Sequence, residues 1–120
     1  MEDDSLKLAY KALSKIDGRY YSIGMGGAEI IEFPFNGWVS DTGHGLNATR
    51  TKLGAKGVIA SAKRRKVLPI PENMVIGIVV GKDIMLKNSW RYVFREICLV
   101  GEVTTTNITW EGENKTPNAR

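Results

Sequence analysis

The stretch WRYVFREICLVGEV, residues 90–103, admits two readings, and the fold depends on which is taken. With a period of two, Tyr92, Phe94, Glu96, Cys98 and Val100 fall on one side and Val93, Arg95, Ile97 and Leu99 on the other, as in a long β-strand. The competing reading is a helix beginning near Asn88, because SWRYVFREICL, residues 89–99, contains no breaker. The strand is the reading taken. Just upstream, MVIGIVV, residues 74–80, is a continuous β-branched run of the kind a strand buried on both faces shows, with Gly77 a candidate bulge. Gly81-Lys-Asp83 is then a candidate turn after which Ile84 to Leu86 pair back, and residues 104–110 continue as a β-prone stretch.

Working back toward the N-terminus, Pro69-Ile-Pro71 is extended, since each proline biases its predecessor away from helix. Residues 57–60 are a short apolar run, and residues 38–56, rich in Gly, Thr, Asn and Asp, read as a long loop. Residues 19–23 and 28–33 read as strands of a hairpin around Gly24-Met-Gly-Gly27, stopped by Pro34 and Asn36-Gly37. Before them, Ser5 as N-cap followed by Leu6, Ala9, Tyr10, Leu13 and Ile16 predicts a helix that ends at Gly18, with Asp3 and Asp4 complementing its N-terminus. The expected fold is α+β: an N-terminal helix followed by a mostly antiparallel, strongly curved small β-sheet or barrel. Residues 1–110 are expected to form a single globular domain and 111–120 a polar C-terminal tail.

At 120 residues, 42% hydrophobic and 25% charged, the chain has the composition of one domain with one core. Cys98 is the only cysteine, so no internal disulfide forms, and MEDDSLK at the start lacks the layout of a secretory signal. Unbroken apolar stretches reach five residues at most, where a spanning helix needs about 20. A cytoplasmic or virion location is the expectation. The Asn-X-Thr patterns at Asn47, Asn107 and Asn114 are therefore discarded as glycosylation sites.

The net charge of +4 is unevenly spread. Residues 1–41 carry 4 Lys/Arg against 7 Asp/Glu, residues 42–95 carry 11 against 2, and residues 96–120 carry 2 against 4. No acidic residue lies between Asp41 and Glu72, while Arg50, Lys52, Lys56, Lys63, Arg64, Arg65 and Lys66 all do. Such a run either faces solvent, meets an acidic protein surface, or binds a polyanion with steep salt dependence. Trp38, Trp90 and Tyr92 are candidate stacking platforms for unpaired bases. Large aromatics in a small domain also fill its core, which is the reading favoured for Tyr92 and Phe94, with Trp38 left open in its glycine-rich surroundings.

Other chemistry is less complete. Gly24-Met-Gly-Gly27 resembles part of a phosphate-cradling loop, but a strand rather than a helix is expected after it, and the P-loop lysine and hydroxyl are absent. Asp41-Thr-Gly-His-Gly45 places the only histidine, His44, near a carboxylate, the local chemistry of a general acid and base. No spacing of metal ligands is recognised, and Cys98 reads as a small core residue. No catalytic set, metal or cofactor is assigned.

NATRTKLGAKGVIASAKRRKVLPIPENMVIGI, residues 47–78, resembles a stretch of the three-aspartate domain, a double-psi barrel of bacterial peptidoglycan-cleaving enzymes, in which a Thr-Ala-rich turn precedes a short apolar strand and a Val-Ile-Pro-type corner. It covers about a quarter of the chain. The family's aspartates follow in an Asp-Thr-Gly-Gly context, whereas here only Asp83 lies downstream and Asp41-Thr-Gly comes too early. The resemblance would make Asp83 or Asp41 the acid, and the missing export signal would favour a phage-encoded protein.

Three functions stand. The first is a nucleic-acid or other polyanion-binding domain using Arg50, Lys52, Lys56, Lys63, Arg64, Arg65 and Lys66, with Trp38 as stacker. The second is a virion or complex subunit, homo-oligomeric or docked by its basic segment on an acidic protein partner. The third, with the poorest support, is a carbohydrate-cleaving enzyme dependent on Asp41 or Asp83.

Overall fold

The computed structural model describes residues 6–23, 30–65 and 73–103, and shows a mostly antiparallel sheet with one helix, an α+β arrangement. Residues 90–103 resolve in favour of the strand. The sheet is built around a hairpin of two long strands, β5 (Met74–Lys87) and β6 (Arg91–Val103), whose turn is held by Asn88. The Asn88 side-chain oxygen accepts the backbone N–H of Trp90 and of Arg91, each at 3.0 Å.

The predicted N-terminal helix is absent; Lys7–Ile16 forms strand β1, paired antiparallel to β5 from Lys7↔Gly81 to Ser14↔Met74. The apolar residues satisfy a period of two as well as a helical one. Ala9 and Leu13 enter the main core, whereas Tyr10 and Ala12 pack on the opposite face against the helix. Eight backbone pairs and burial on both faces outweigh a local helical preference. Asp17 and Gly18, with φ of 52° and 78°, form a tight turn into β2 (Arg19–Ser22); the Asp-Gly pair is a hairpin signal rather than a helix end.

Residues 30–33 run back along β2, with Ser22 N–H donating to Ile31 O and Phe33 N–H to Tyr20 O, both at 2.8 Å. The Gly24–Gly27 turn, Pro69–Pro71 and residues 104–120, including the predicted tail, lie outside the described residues.

The predicted loop over residues 38–56 is instead strand β3 (Trp38–Ser40), a turn, strand β4 (Leu46–Thr49) and the start of helix α1 (Lys52–Arg65). Ala55, Ile59 and Ala62 recur at helical spacing and form the buried stripe, and Thr51 caps the N-terminus through its Oγ1, which accepts Gly54 N–H at 3.0 Å. The apolar run at 57–60 and the basic step at 63–65 are thus one helix. The segment behind the double-psi-barrel resemblance carries no strand between residues 52 and 65, where the family would place its short apolar one.

Strand β5 does not turn at Gly81–Asp83 but continues to Lys87, taking up irregular register between Ile84 and Leu86 and between Ile78 and Val79, not at Gly77. Gly77 serves close packing instead: a Cβ there would lie 2.7 Å from methyl carbons of Leu13 and Leu99. Strict alternation also fails along β6, because Phe94 and Ile97 both enter the main core.

That core joins Ala9, Leu13, Phe33, Val79, Phe94 and Leu99, together with Tyr92 and others, and Cys98 is also buried, as expected. A second cluster, including Ala12, Ile76 and Val103, seats α1 on the other face of β1 and β5. Pairing proceeds from β1 to β5, β6 and β4, and β4 returns to β1 through one pair, Tyr10↔Thr49. No helix among the described residues is long and apolar enough to cross a membrane.

Candidate functional site

Thr49 is where two features of the surface meet. Its hydroxyl lies 2.9 Å from Tyr10 O and from Thr51 O, tying β1 to β4 and to the start of α1. On one side α1 displays the basic segment; on the other, β1 and β4 part and leave a cleft.

The predicted basic residues are largely brought together. Lys52, Lys56, Lys63, Arg64 and Arg65 all lie on α1, and no acidic residue is in it. At roughly 100° per residue, Lys52, Lys56 and Lys63 share one flank of the buried stripe, Arg64 faces away from the sheet and Arg65 takes the other flank. The last three also sit in the final turn, where cations complement the helix dipole. Arg50, just before the helix, stacks 5.2 Å from the Tyr92 ring centroid and donates to Asn88 O at 2.8 Å. Lys66 lies outside the described residues.

Trp38 is not brought to this helix. It lies on β3, paired with Cys98 of β6, and the Lys82 ammonium sits 4.5 Å from its ring centroid. The main packing of α1 is against β1, β4 and β5. Trp90 is the aromatic beside the basic segment: half-exposed, its backbone oxygen accepts Arg50 N–H at 2.9 Å. Tyr92, the third candidate stacker, is in the core, as favoured.

The cleft has a volume of about 370 Å³ and lies between Tyr10–Ala12 of β1 and Leu46–Thr49 of β4, which separate beyond their single pair. Ile23, Ile31 and Val58 supply apolar wall, Trp90 and His44 further parts of the lining. Lys11 and Arg91 also line it, and no carboxylate does among the described residues. Lys11 reaches across to donate to Asn47 O, a side-chain bond where a strand ladder would otherwise continue, and its ammonium lies 5.6 Å from the Phe33 ring centroid. Enclosure by protein lowers its pKa from 10.5 to about 8. Arg91 donates to Asn47 Oδ1 at 2.7 Å and sits 5.2 Å from the Trp90 ring centroid, while its buried Nε has no acceptor among the described residues.

None of Lys11, Asn47 or Arg91 stood out in the sequence. The available signal was Lys11 itself, a cation in phase with the inward-facing Ala9 and Leu13 once the segment is read as a strand.

The candidate acids have other surroundings. Asp41 Oδ2 accepts Gly43 N–H at 2.9 Å and Gly45 N–H at 3.2 Å, which closes the turn into β4. Asp83 is exposed at φ 60°, beside the second register shift of β5. His44 is exposed where it borders the cleft.

No known protein family, curated protein or solved structure matches this chain.

Proposed function

We propose that the chain is a nucleic-acid-binding domain in which α1 and its approach supply the phosphate contacts, mounted on a small, nearly closed barrel whose seam is Tyr10↔Thr49. The observation that carries this reading is the concentration of Arg50, Lys52, Lys56, Lys63, Arg64 and Arg65 on one helix and the residue leading into it, without an acidic residue in that helix. A cation placed on each phosphate releases condensed counterions, so affinity depends steeply on salt. Trp90 takes the stacking role that the sequence offered to Trp38, since it adjoins Arg50 and Arg91.

Fluorescence anisotropy of labelled single-stranded RNA, single-stranded DNA and duplex DNA tests the reading. Affinity should fall by an order of magnitude or more between about 50 and 200 mM salt. Lys63→Gln, Arg64→Gln and Arg65→Gln together should weaken binding and flatten the salt dependence. Absence of binding at about 50 mM salt rejects the proposal.

A second reading, a subunit of an assembly, draws support from the distal part of β5. Ile84, Met85 and Leu86 are consecutive and each is about 40% exposed, an apolar surface of the kind that partners cover. Size-exclusion chromatography with light scattering distinguishes it: a concentration-dependent oligomer lost in Ile84→Ser/Leu86→Ser is its expected signature.

A further inference from the structure

The cleft between β1 and β4 combines three properties. It is concave and mostly apolar, and its volume of about 370 Å³ is near the small end of the roughly 300–1,000 Å³ typical of single-ligand pockets. Among the described residues its charged groups have one sign, Lys11 and Arg91 without a facing carboxylate in the lining. One of its donors is also unsatisfied: the buried Arg91 Nε has no acceptor among the described residues, a state that an anionic oxygen would relieve. Lys11 gives one of its three N–H donors to Asn47 O, and no second protein acceptor for it is found among the described residues.

The cleft is also continuous with the proposed phosphate-binding surface. Trp90 lines it and accepts the Arg50 backbone N–H, and Thr49 lines it at the foot of α1. A strand tracking the cations of α1 toward Arg50 would therefore arrive at the cleft mouth. We infer that the cleft receives one unstacked base of a single-stranded nucleic acid, with the adjoining phosphate on Arg91 and Lys11 and the base against Trp90, Ile23, Ile31 and Val58. This rests on the nucleic-acid reading and extends it to the form of the ligand. A paired base would first have to leave its helix at an energetic cost, so single strands are preferred to duplexes.

The test uses the full chain and three probes of equal length: a single-stranded oligonucleotide with one 2-aminopurine, the same backbone with abasic residues throughout, and a duplex. The base-bearing single strand should bind about 5- to 100-fold more tightly than the abasic strand, the range set by stacking one base on an aromatic platform. The 2-aminopurine emission should change on binding. Val58→Phe, which narrows the cleft, and Trp90→Ala, which removes the aromatic face against the base, should each remove most of that preference and the emission change while leaving abasic-strand affinity within about threefold; circular dichroism confirms that each variant is folded.

Equal affinity for base-bearing and abasic strands, with unchanged emission, overturns the base cleft and leaves the polyanion function intact. Full preference retained in both folded variants overturns it as well. No binding of any probe at about 50 mM salt removes both readings.

Discussion

Lys11 occupies a position where alternation calls for an apolar side chain, and its surroundings charge the fold for its ammonium. Its folded pKa of about 8 lies below the unfolded value near 10.5. Between those limits the unfolded chain binds the proton more strongly, so stability rises with pH across about 8–10.5, and this contribution is lost as pH falls through about 8. Lys11→Met should therefore raise stability at pH 7 by about 1–2 kcal/mol, or roughly 5–10 °C in melting temperature, with the gain shrinking toward pH 10.5. Tyr10, His44 and Arg91, the other ionisable groups of the cleft among the described residues, remain in both proteins, so the difference between their pH profiles isolates Lys11. Thermal melts across pH 7–10.5 decide the matter; a gain independent of pH would contradict it. The same variant should bind single strands less well at pH 7, which separates a binding role for Lys11 from a purely structural one.

Gly81 is the complementary case, a residue retained for what it lacks. A Cβ built there would lie 2.4 Å from the ring of Phe94, which is wholly buried in the main core. Gly81→Ala should cost about 1–3 kcal/mol through forced displacement of that ring, read as a lower denaturant midpoint without a change in slope.

At the scale of elements, the helix and first strand show how local signals misled and where better ones lay. Ala55, Ile59 and Ala62 mark α1, but Gly54 and Gly57 lower its helical propensity and a cluster of loop-forming residues precedes it. The helix is secured by packing on β1, β4 and β5 and by the Thr51 cap. Thr51→Ala should accordingly destabilise the protein by about 1 kcal/mol, measurable in the chemical midpoint, whereas Thr51→Ser should have little effect. The N-terminal segment was ambiguous for a physical reason. Both of its faces are covered, so Leu13 and Ala12 are buried alike and the alternation that identifies a half-exposed strand is erased. The Asp17-Gly18 turn was the discriminating feature, and it is consistent only with a chain that doubles back. β6 was legible because Arg95 and Val100 interrupt its burial, though Phe94 and Ile97 both enter the same core. Of the candidate site, the basic residues were visible by composition alone. The cleft was not, since it depends on two strands that meet once and then diverge.

For the whole molecule, that divergence sets the relation between stability and binding. Most of the sheet is held by long ladders, β1 with β5 and β5 with β6, while β1 and β4 share only Tyr10↔Thr49. The surface proposed for ligand is therefore formed where backbone pairing is sparsest, and ligand occupancy should protect Lys11–Ala12 and Leu46–Ala48 amides more than those of the β5–β6 hairpin. Hydrogen exchange with and without a single-stranded oligonucleotide reads this directly; uniform protection across the sheet would indicate that the cleft is not where the strand lodges.

The long β1–β5 ladder also orders events in time. Lys7 pairs with Gly81, so a ribosome must deliver the chain through much of β5 before the first strand is paired along its whole β5 edge. Until then β1 is an apolar strand with no partner on its β5 edge, and closing so long a loop is slow relative to the formation of α1. Refolding should take milliseconds to seconds rather than microseconds, and nascent chains ending before Met74 should be protease-sensitive and prone to associate through that uncovered edge.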